Sequence, residues 1–247
     1  MSGATRGGAA LVTGSANNIG RAIALRLAAD GFAVMVHARQ SRAAAEATVR
    51  AIESAGGAAA LHLADISRQE EAAGLVTATV QAFGGLNVLV NNASLRRQTA
   101  FADITPAEWR EVLGATLDGS FFVSQAAAPH LLAAPAAALI NLGGMAAHTG
   151  TKGRVHAIAA KAAIGGLTRA LAHEFAGTSV RVNSVAPGMI ETVRAATVGA
   201  PPALPPNLVG HGGLPDDVAA MVAFLAGPGG RYVTGQTIHV NGGAFLA

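Results

Sequence analysis

Short apolar or β-branched runs alternate along this chain with longer alanine-rich stretches whose apolar positions recur at helical spacing. The short runs predict strands at Ala10–Thr13, Ala33–His37, Ala59–Leu63, Val88–Asn91, Leu139–Leu142, Val180–Val185 and Thr237–Val240. Between them the spacing predicts helices near 19–30, 42–55, 68–83, 106–132, 155–176 and 215–226. Ser67-Arg-Gln-Glu70 and Thr105-Pro-Ala-Glu108 read as capping boxes, the second with proline at the first helical position. Gly31, Gly56 and Gly84 stand where helices should stop. Strand–helix alternation with continuously apolar strands predicts an α/β fold, a doubly wound parallel sheet with helices on both faces. No repeat or linker divides it, so residues 1–247 are expected to form one domain. The one compositional break is Pro187–Pro215, where Pro201, Pro202, Pro205 and Pro206 gather. A substrate lid at 188–214 is expected there, or else an insertion without function.

Composition narrows the partners. Apolar residues make up 51% of the 247 and charged residues 13%, enough for a large core and far from a disordered balance. The net charge of +3 arises from scattered arginines with no basic run, so no nucleic acid partner is expected. Without cysteine there is no disulfide framework, thiol nucleophile or thiolate metal site. The histidines lack a close helical pair with a carboxylate, and no metal site is expected. A G-x-S-x-G elbow is absent, which argues against acyl-hydrolase chemistry. The longest apolar stretch, Ala126 to Leu142, is interrupted by Pro129, His130, Pro135 and Asn141, and the N-terminus has no signal-like apolar core. A soluble cytoplasmic protein with no membrane partner is the expectation.

The turn after the first strand, Thr13-Gly14-Ser15-Ala16-Asn17-Asn18-Ile19-Gly20, leads straight into a helix. Such a turn lets backbone N–H groups approach a pyrophosphate at a helix N-terminus, as in a Rossmann-type sheet. Asn18 occupies a place suited to glycine, and asparagine tolerates positive φ. The second strand ends His37-Ala38-Arg39-Gln40-Ser41-Arg42. With no acid at that tip and Arg39, Ser41 and Arg42 present, a ribose 2′-phosphate is favoured over a free 2′-hydroxyl. NADP(H) is therefore the expected cofactor, with NAD(H) possible. Asp65 follows the third strand, and Asn91-Asn92-Ala93-Ser94 the fourth, both at carboxyl ends where such sheets bind ligands.

With these pieces, INLGG, the helix leading to Lys161, VNSVAPGMIET and the tail YVTGQTIHVNGG, the chain resembles the short-chain dehydrogenase/reductase family over essentially its whole length. The resemblance implies a single Rossmann-type sheet of about seven strands. It also implies that Gly14, Asn17, Asn18, Ile19 and Gly20 hold the pyrophosphate. Asp65 and Ile66 would lie at the adenine, Asn91 and Ala93 at the adenosine ribose. Pro187, Gly188, Ile190 and Thr192 would lie at the nicotinamide end, and Lys161 at the nicotinamide ribose. A homo-oligomer, dimer or tetramer, is implied through the long helices.

Members of that family reduce a carbonyl with a tyrosine, lysine, serine and asparagine. Read onto this chain, those positions are Ala157, Lys161, Gly144 and Thr116, so only the lysine is kept. Tyr232 is the single tyrosine and is expected to pack near the end of the sheet. The candidate proton donors are then His148, His156, Lys161 or water, for a small carbonyl, alcohol or imine substrate and a small-molecule partner only. Two alternatives stay open: a non-catalytic NADP(H)-binding protein on the same fold, and a non-redox lyase or isomerase.

Overall fold

The protein is described by a computed structural model covering residues 7–192 and 207–246. Seven parallel strands form one sheet in the order β3-β2-β1-β4-β5-β6-β7. They are β1 (Ala9–Val12), β2 (Ala33–Ala38), β3 (Ala59–Leu63), β4 (Val88–Asn91), β5 (Ala137–Leu142), β6 (Val180–Pro187) and β7 (Thr237–Val240). The central strands are buried along almost their whole length, while the edge strands β3 and β7 are half-exposed throughout. That difference follows from position: an edge strand is covered on fewer sides.

Successive strand residues point to opposite faces, which divides the core in two. Val12, Val36, Val90 and Ile140 pack on one side with Ile23 and Leu27 of α1 (Asn18–Ala29), Ile52 of α2 (Arg42–Ser54) and Val222 of α8 (Pro215–Ala226). Their neighbours Leu11, Met35, Leu89 and Leu139 pack on the other. There they meet Leu75 and Val76 of α3 (Gln69–Phe83) and Val123 and Leu131 of α5 (Gly119–Ala133). Each fully buried Leu, Ile or Val contributes roughly 1.5–3 kcal/mol. The remaining helices are α4 (Pro106–Leu113), α6 (Ala146–Thr149) and α7 (Val155–Glu174).

Three local features depart from the sequence reading. The helix expected over 106–132 is three segments, because Gly114–Asp118 adopts a π turn between α4 and α5. A π turn adds a residue to the local repeat and re-aims side chains, commonly beside a site. Gly119 begins α5 against Ile66, where a Cβ would stand 2.8 Å from the isoleucine side chain. Ser67 does not cap α3: its N–H and hydroxyl both donate to Asp65 Oδ1 (3.1 and 2.7 Å), leaving Arg68 as an N-cap without a side-chain bond. Thr105 does cap α4, accepting from Glu108 N at 3.1 Å. Tyr232, expected to pack at the sheet end, is 99% exposed. Residues 193–206 of the expected lid lie outside the described residues. Ile190 and Gly213 form a parallel bridge at its base.

Candidate active site

The strand order reverses between β1 and β4, and their carboxyl ends open into a crevice. Thr13 Oγ1 accepts from Asn92 N and Ala93 N, both at 3.0 Å. Asn92 Nδ2 donates back to the carbonyls of Thr13 and Gly14 at 2.9 and 3.0 Å. The turn this fixes has no room for side chains. Gly14 has φ +64, and a Cβ there would lie 2.9 Å from Ala93 Cα; a Cβ on Gly20 would lie 2.2 Å from Gly14 O. Asn18 has φ 51, the one positive-φ non-glycine residue among the described residues. The side chain of Asn17 makes no cap bond to the first N–H groups of α1.

His37, at the end of β2, braces the turn from behind. Gly14 N donates to its Nδ1 at 3.0 Å, so the proton sits on Nε2, which donates to Ala64 O at 3.0 Å. Burial holds its pKa below the usual imidazole value; the Ala64 carbonyl opposes that, and His62 adds to it.

A cavity of about 530 Å³ lies over this turn. Gly14, Asn17, Asn18, Ile19 and Gly20 line it on one side, and Arg39, Ser41, Asp65, Ile66 and Ala93 on the other. Arg39 Nη1 stands 3.9 Å from Asp65 Oδ2, a loose and half-exposed pair. Burial works to raise the Asp65 pKa, but the Ser67 hydrogen bonds, with Arg39 and Arg68, outweigh it and leave the carboxyl below its ordinary value. Arg42 turns to Glu46 at 3.7 Å and is not in the wall. Asn91 is not in the wall either. Its amide points into the protein, donating to Ser124 Oγ and Asn141 Oδ1 at 2.9 Å each, and Asn92 takes the lining place. The physical reason is the period of a strand: the last residue of β4 faces α5 while the next emerges at the tip.

A second cavity, of about 230 Å³, adjoins the first through shared walls at Ile19, Asn92, Ser94 and Leu95. Lys161, Ala157, Gly144 and Thr116 all line it, as do Pro187, Gly188 and Ile190. Lys161 Nζ donates to the carbonyl of Leu142. Burial first, and Arg96 second, lower its pKa from 10.5 to about 7. The π turn brings Thr116 to the wall, where its Oγ1 accepts from Leu95 N at 3.4 Å. A Cβ on Gly144 would meet nothing within 4 Å, whereas one on Gly188 would lie 2.7 Å from Asn241 Cα. Thr192 Oγ1 is buried without a hydrogen-bond partner among the described residues.

Two candidate proton donors lie outside that wall. His156 is fully buried between α7 and α4: its Nε2 bonds Glu108 Oε1 at 2.9 Å, and Ala157 N donates to its Nδ1 at 2.9 Å. Adjacent residues on a helix stand about 100° apart, so lining by Ala157 turns His156 away. The hydroxyl of Thr99, then His156, hold the Glu108 carboxyl below its usual range. His148 faces the C-terminal tail, edge-on to His239 at 4.7 Å and stacked on Phe245 at 5.6 Å. Of the three side chains named as donors, the cavity gathers only Lys161.

Comparison with known proteins places this geometry. The family described as enoyl-(acyl carrier protein) reductase matches residues 14–244. A solved short-chain dehydrogenase from Burkholderia cenocepacia, in complex with NADP, superposes with a TM-score of 0.90 at 34% identity, covering 98% of this chain and 99% of that one. The chain belongs to the short-chain dehydrogenase/reductase family. A dehydrogenase/reductase from Sinorhizobium meliloti gives a TM-score of 0.91 at 34% identity over 97% of this chain and 96% of the other. A 3-oxoacyl-[acyl-carrier-protein] reductase FabG of Staphylococcus aureus is 37% identical over 96% of this chain and 98% of the relative. An uncharacterized oxidoreductase of Methylorubrum extorquens is 39% identical over 96% and 97%. Among the described residues, no helix of this short-chain dehydrogenase/reductase is long and apolar enough to cross a membrane. No group of three or more His, Asp or Glu there is placed to hold a metal.

The sequence reading missed His37 as a brace, Asn92 as a wall residue, and the arginines Arg96, Arg97 and Arg154. Signals existed for the arginines. Arg96 and Arg97 directly follow a strand-tip motif, and Arg154 precedes Lys161 by seven residues, close to the same helical face.

Proposed function

We propose that this short-chain dehydrogenase/reductase is an NADP(H)-dependent oxidoreductase of a small carbonyl, alcohol or imine, with Lys161 as its proton donor. The residues present fit the dinucleotide. The cramped turn at Gly14, Asn18 and Gly20 leaves backbone N–H groups for the pyrophosphate. Arg39 and Ser41 suit a 2′-phosphate, and Asp65, Ile66 and Ala93 would take the adenosine. Pro187, Gly188, Ile190 and the unpartnered Thr192 hydroxyl would take the nicotinamide end. The Burkholderia relative solved with NADP supports the same choice. When bound, the reduced cofactor supplies a hydride.

The residues read as the family's tyrosine, serine and asparagine positions are Ala157, Gly144 and Thr116, and none of the three carries a phenol or an amide. Lys161 carries the proposal: it is the one side chain in that wall whose charge changes near neutral pH. Its ammonium would give a proton to the substrate oxygen or nitrogen as hydride arrives at carbon, and in the reverse direction the free amine would take it back. A positioned acid contributes about 10²–10⁴-fold. Single-turnover NADPH oxidation over a panel of ketones and imines tests this. Lys161→Met is expected to slow the transfer step by about 10²-fold or more, with NADPH affinity changed far less. An unchanged transfer rate would exclude lysine as the donor.

The missing phenol favours a second reading, a cofactor-binding protein without turnover. NADPH binding with no oxidation across the panel would support it. We further propose that residues 1–247 act as one domain and that copies associate through α4, α5 and α7. Half-exposed Trp109, Phe121 and Leu132 on α4 and α5 support that face.

A further inference from the structure

We propose that the smaller cavity receives an anionic substrate, an oxo acid whose carboxylate is bound by Arg96 and Arg154 while its carbonyl lies toward Lys161. The inference rests on the oxidoreductase reading for what happens to the carbonyl, but the anion site stands on its own geometry. Four basic side chains line this wall, Arg96, Arg97, Arg154 and Lys161, and no aspartate or glutamate does. The rest is apolar or weakly polar, with Leu95, Leu142, Met145 and Ile158 prominent. Arg96 and Arg97 are exposed and Arg154 is half-buried; like charges gathered along one wall raise the local affinity for an anion.

The arginines differ in what already satisfies them. Arg97 reaches Glu111 at 2.7 Å on the rim, so its charge is largely matched. Arg154 enters none of the ion pairs among the described residues. It also lines only the smaller cavity, whereas Arg96 and Arg97 border both. A requirement of the dinucleotide phosphates therefore does not account for Arg154. Arg96 lies near enough to Lys161 to bear on its charge. Arg154 is the N-cap of α7 and Lys161 lies within that helix, and both line the smaller cavity. A guanidinium pairs with a carboxylate through two parallel hydrogen bonds, which fixes orientation as well as charge. The nicotinamide end of the cofactor would take part of this cavity, about 230 Å³ in all, and the room left beside it suits a short acid.

The test is calorimetric titration of the NADP⁺-saturated protein with 2-oxobutanoate and 3-oxobutanoate, and with the methyl ester of each. The acids are expected to bind about tenfold or more tightly than the esters, as for a hydrogen bond to a charged group. Arg154→Gln should reduce that preference to about threefold or less, with NADP⁺ affinity unchanged; Arg96→Gln supplies an independent variant if the first does not fold. Equal binding of acid and ester, binding of neither, or a preference that survives both substitutions would overturn the proposal. Stopped-flow NADPH oxidation separates the two readings. Acid-selective binding without oxidation keeps the anion site and discards the oxidoreductase. Ester oxidation without acid preference does the reverse.

Discussion

Changing the pH across neutrality perturbs one group in the smaller cavity. Lys161 titrates at about 7 instead of 10.5. At about 1.4 kcal/mol per pH unit, that interval corresponds to about 5 kcal/mol against charging the amine. Burial supplies the larger part and repulsion by Arg96 the rest. The ammonium fraction is then about one half at pH 7, about one tenth at pH 8 and about one hundredth at pH 9. If Lys161 is the donor, the single-turnover rate of NADPH oxidation should level off below about pH 6 and fall about tenfold per unit above 7. The alcohol-oxidising direction should show the opposite slope. Stopped-flow absorbance from pH 6 to 9 at limiting substrate, which reports the pKa of the substrate-free protein, measures both. Lys161→Arg keeps the positive charge but cannot titrate in this range, so its profile should be level. Arg96→Gln should move the break upward, yet leave it below 10.5 because burial dominates. A level wild-type profile, or the same break in Lys161→Arg, would refute the assignment.

Four further outcomes follow from the geometry. Ala157→Tyr with Gly144→Ser should raise reduction of simple ketones by about 10²-fold or more, since a side chain at Gly144 meets nothing within 4 Å; no rise in single-turnover rate would count against the proposed site. Gly20→Ala, with its Cβ 2.2 Å from Gly14 O, should cost about 1–3 kcal/mol in denaturant melts and weaken NADPH binding. Gly74→Ala, inside α3 with open space around it, should instead stabilise by about 0.5–1 kcal/mol. His37 has a folded pKa depressed below 6.5, so the unfolded chain gains a proton first as pH falls. Its contribution is complete above pH 6.5 and is lost as pH drops from there toward the folded value. The fall in Tm between pH 7.5 and 5 should therefore be smaller in His37→Gln than in the wild type.

The sheet was legible because each strand is a short apolar run between glycine-ended helices, and period and length distinguish such runs without tertiary information. β3, β4 and β7 fall on the residues the pattern marks. The π turn was not legible: Gly114–Asp118 continues a helical pattern, and only packing against the loop at Ile66 reveals the extra residue. The same limit governs the site. Gly14, Gly20 and Asn18 announce themselves because backbone conformation restricts residue type. Arg96 and Arg154 do not, since an arginine in sequence reads as a solvated surface residue until the fold sets it beside a cavity. His156 and His148 show the converse. Each looked chemically apt beside Ala157 and Gly144, and each is occupied elsewhere, by Glu108 and by the His239–Phe245 pair.

A buried ammonium is costly unless a partner relieves it, and a nearby carboxylate would do so at Lys161. The wall instead holds Arg96 beside the lysine and Arg154 two turns away, with no acid among its residues. Burial and Arg96 hold Lys161 near the pH at which a proton donor works best. A substrate that brings its own negative charge would account for the basic wall, and on binding would raise the Lys161 pKa above its value in the free protein.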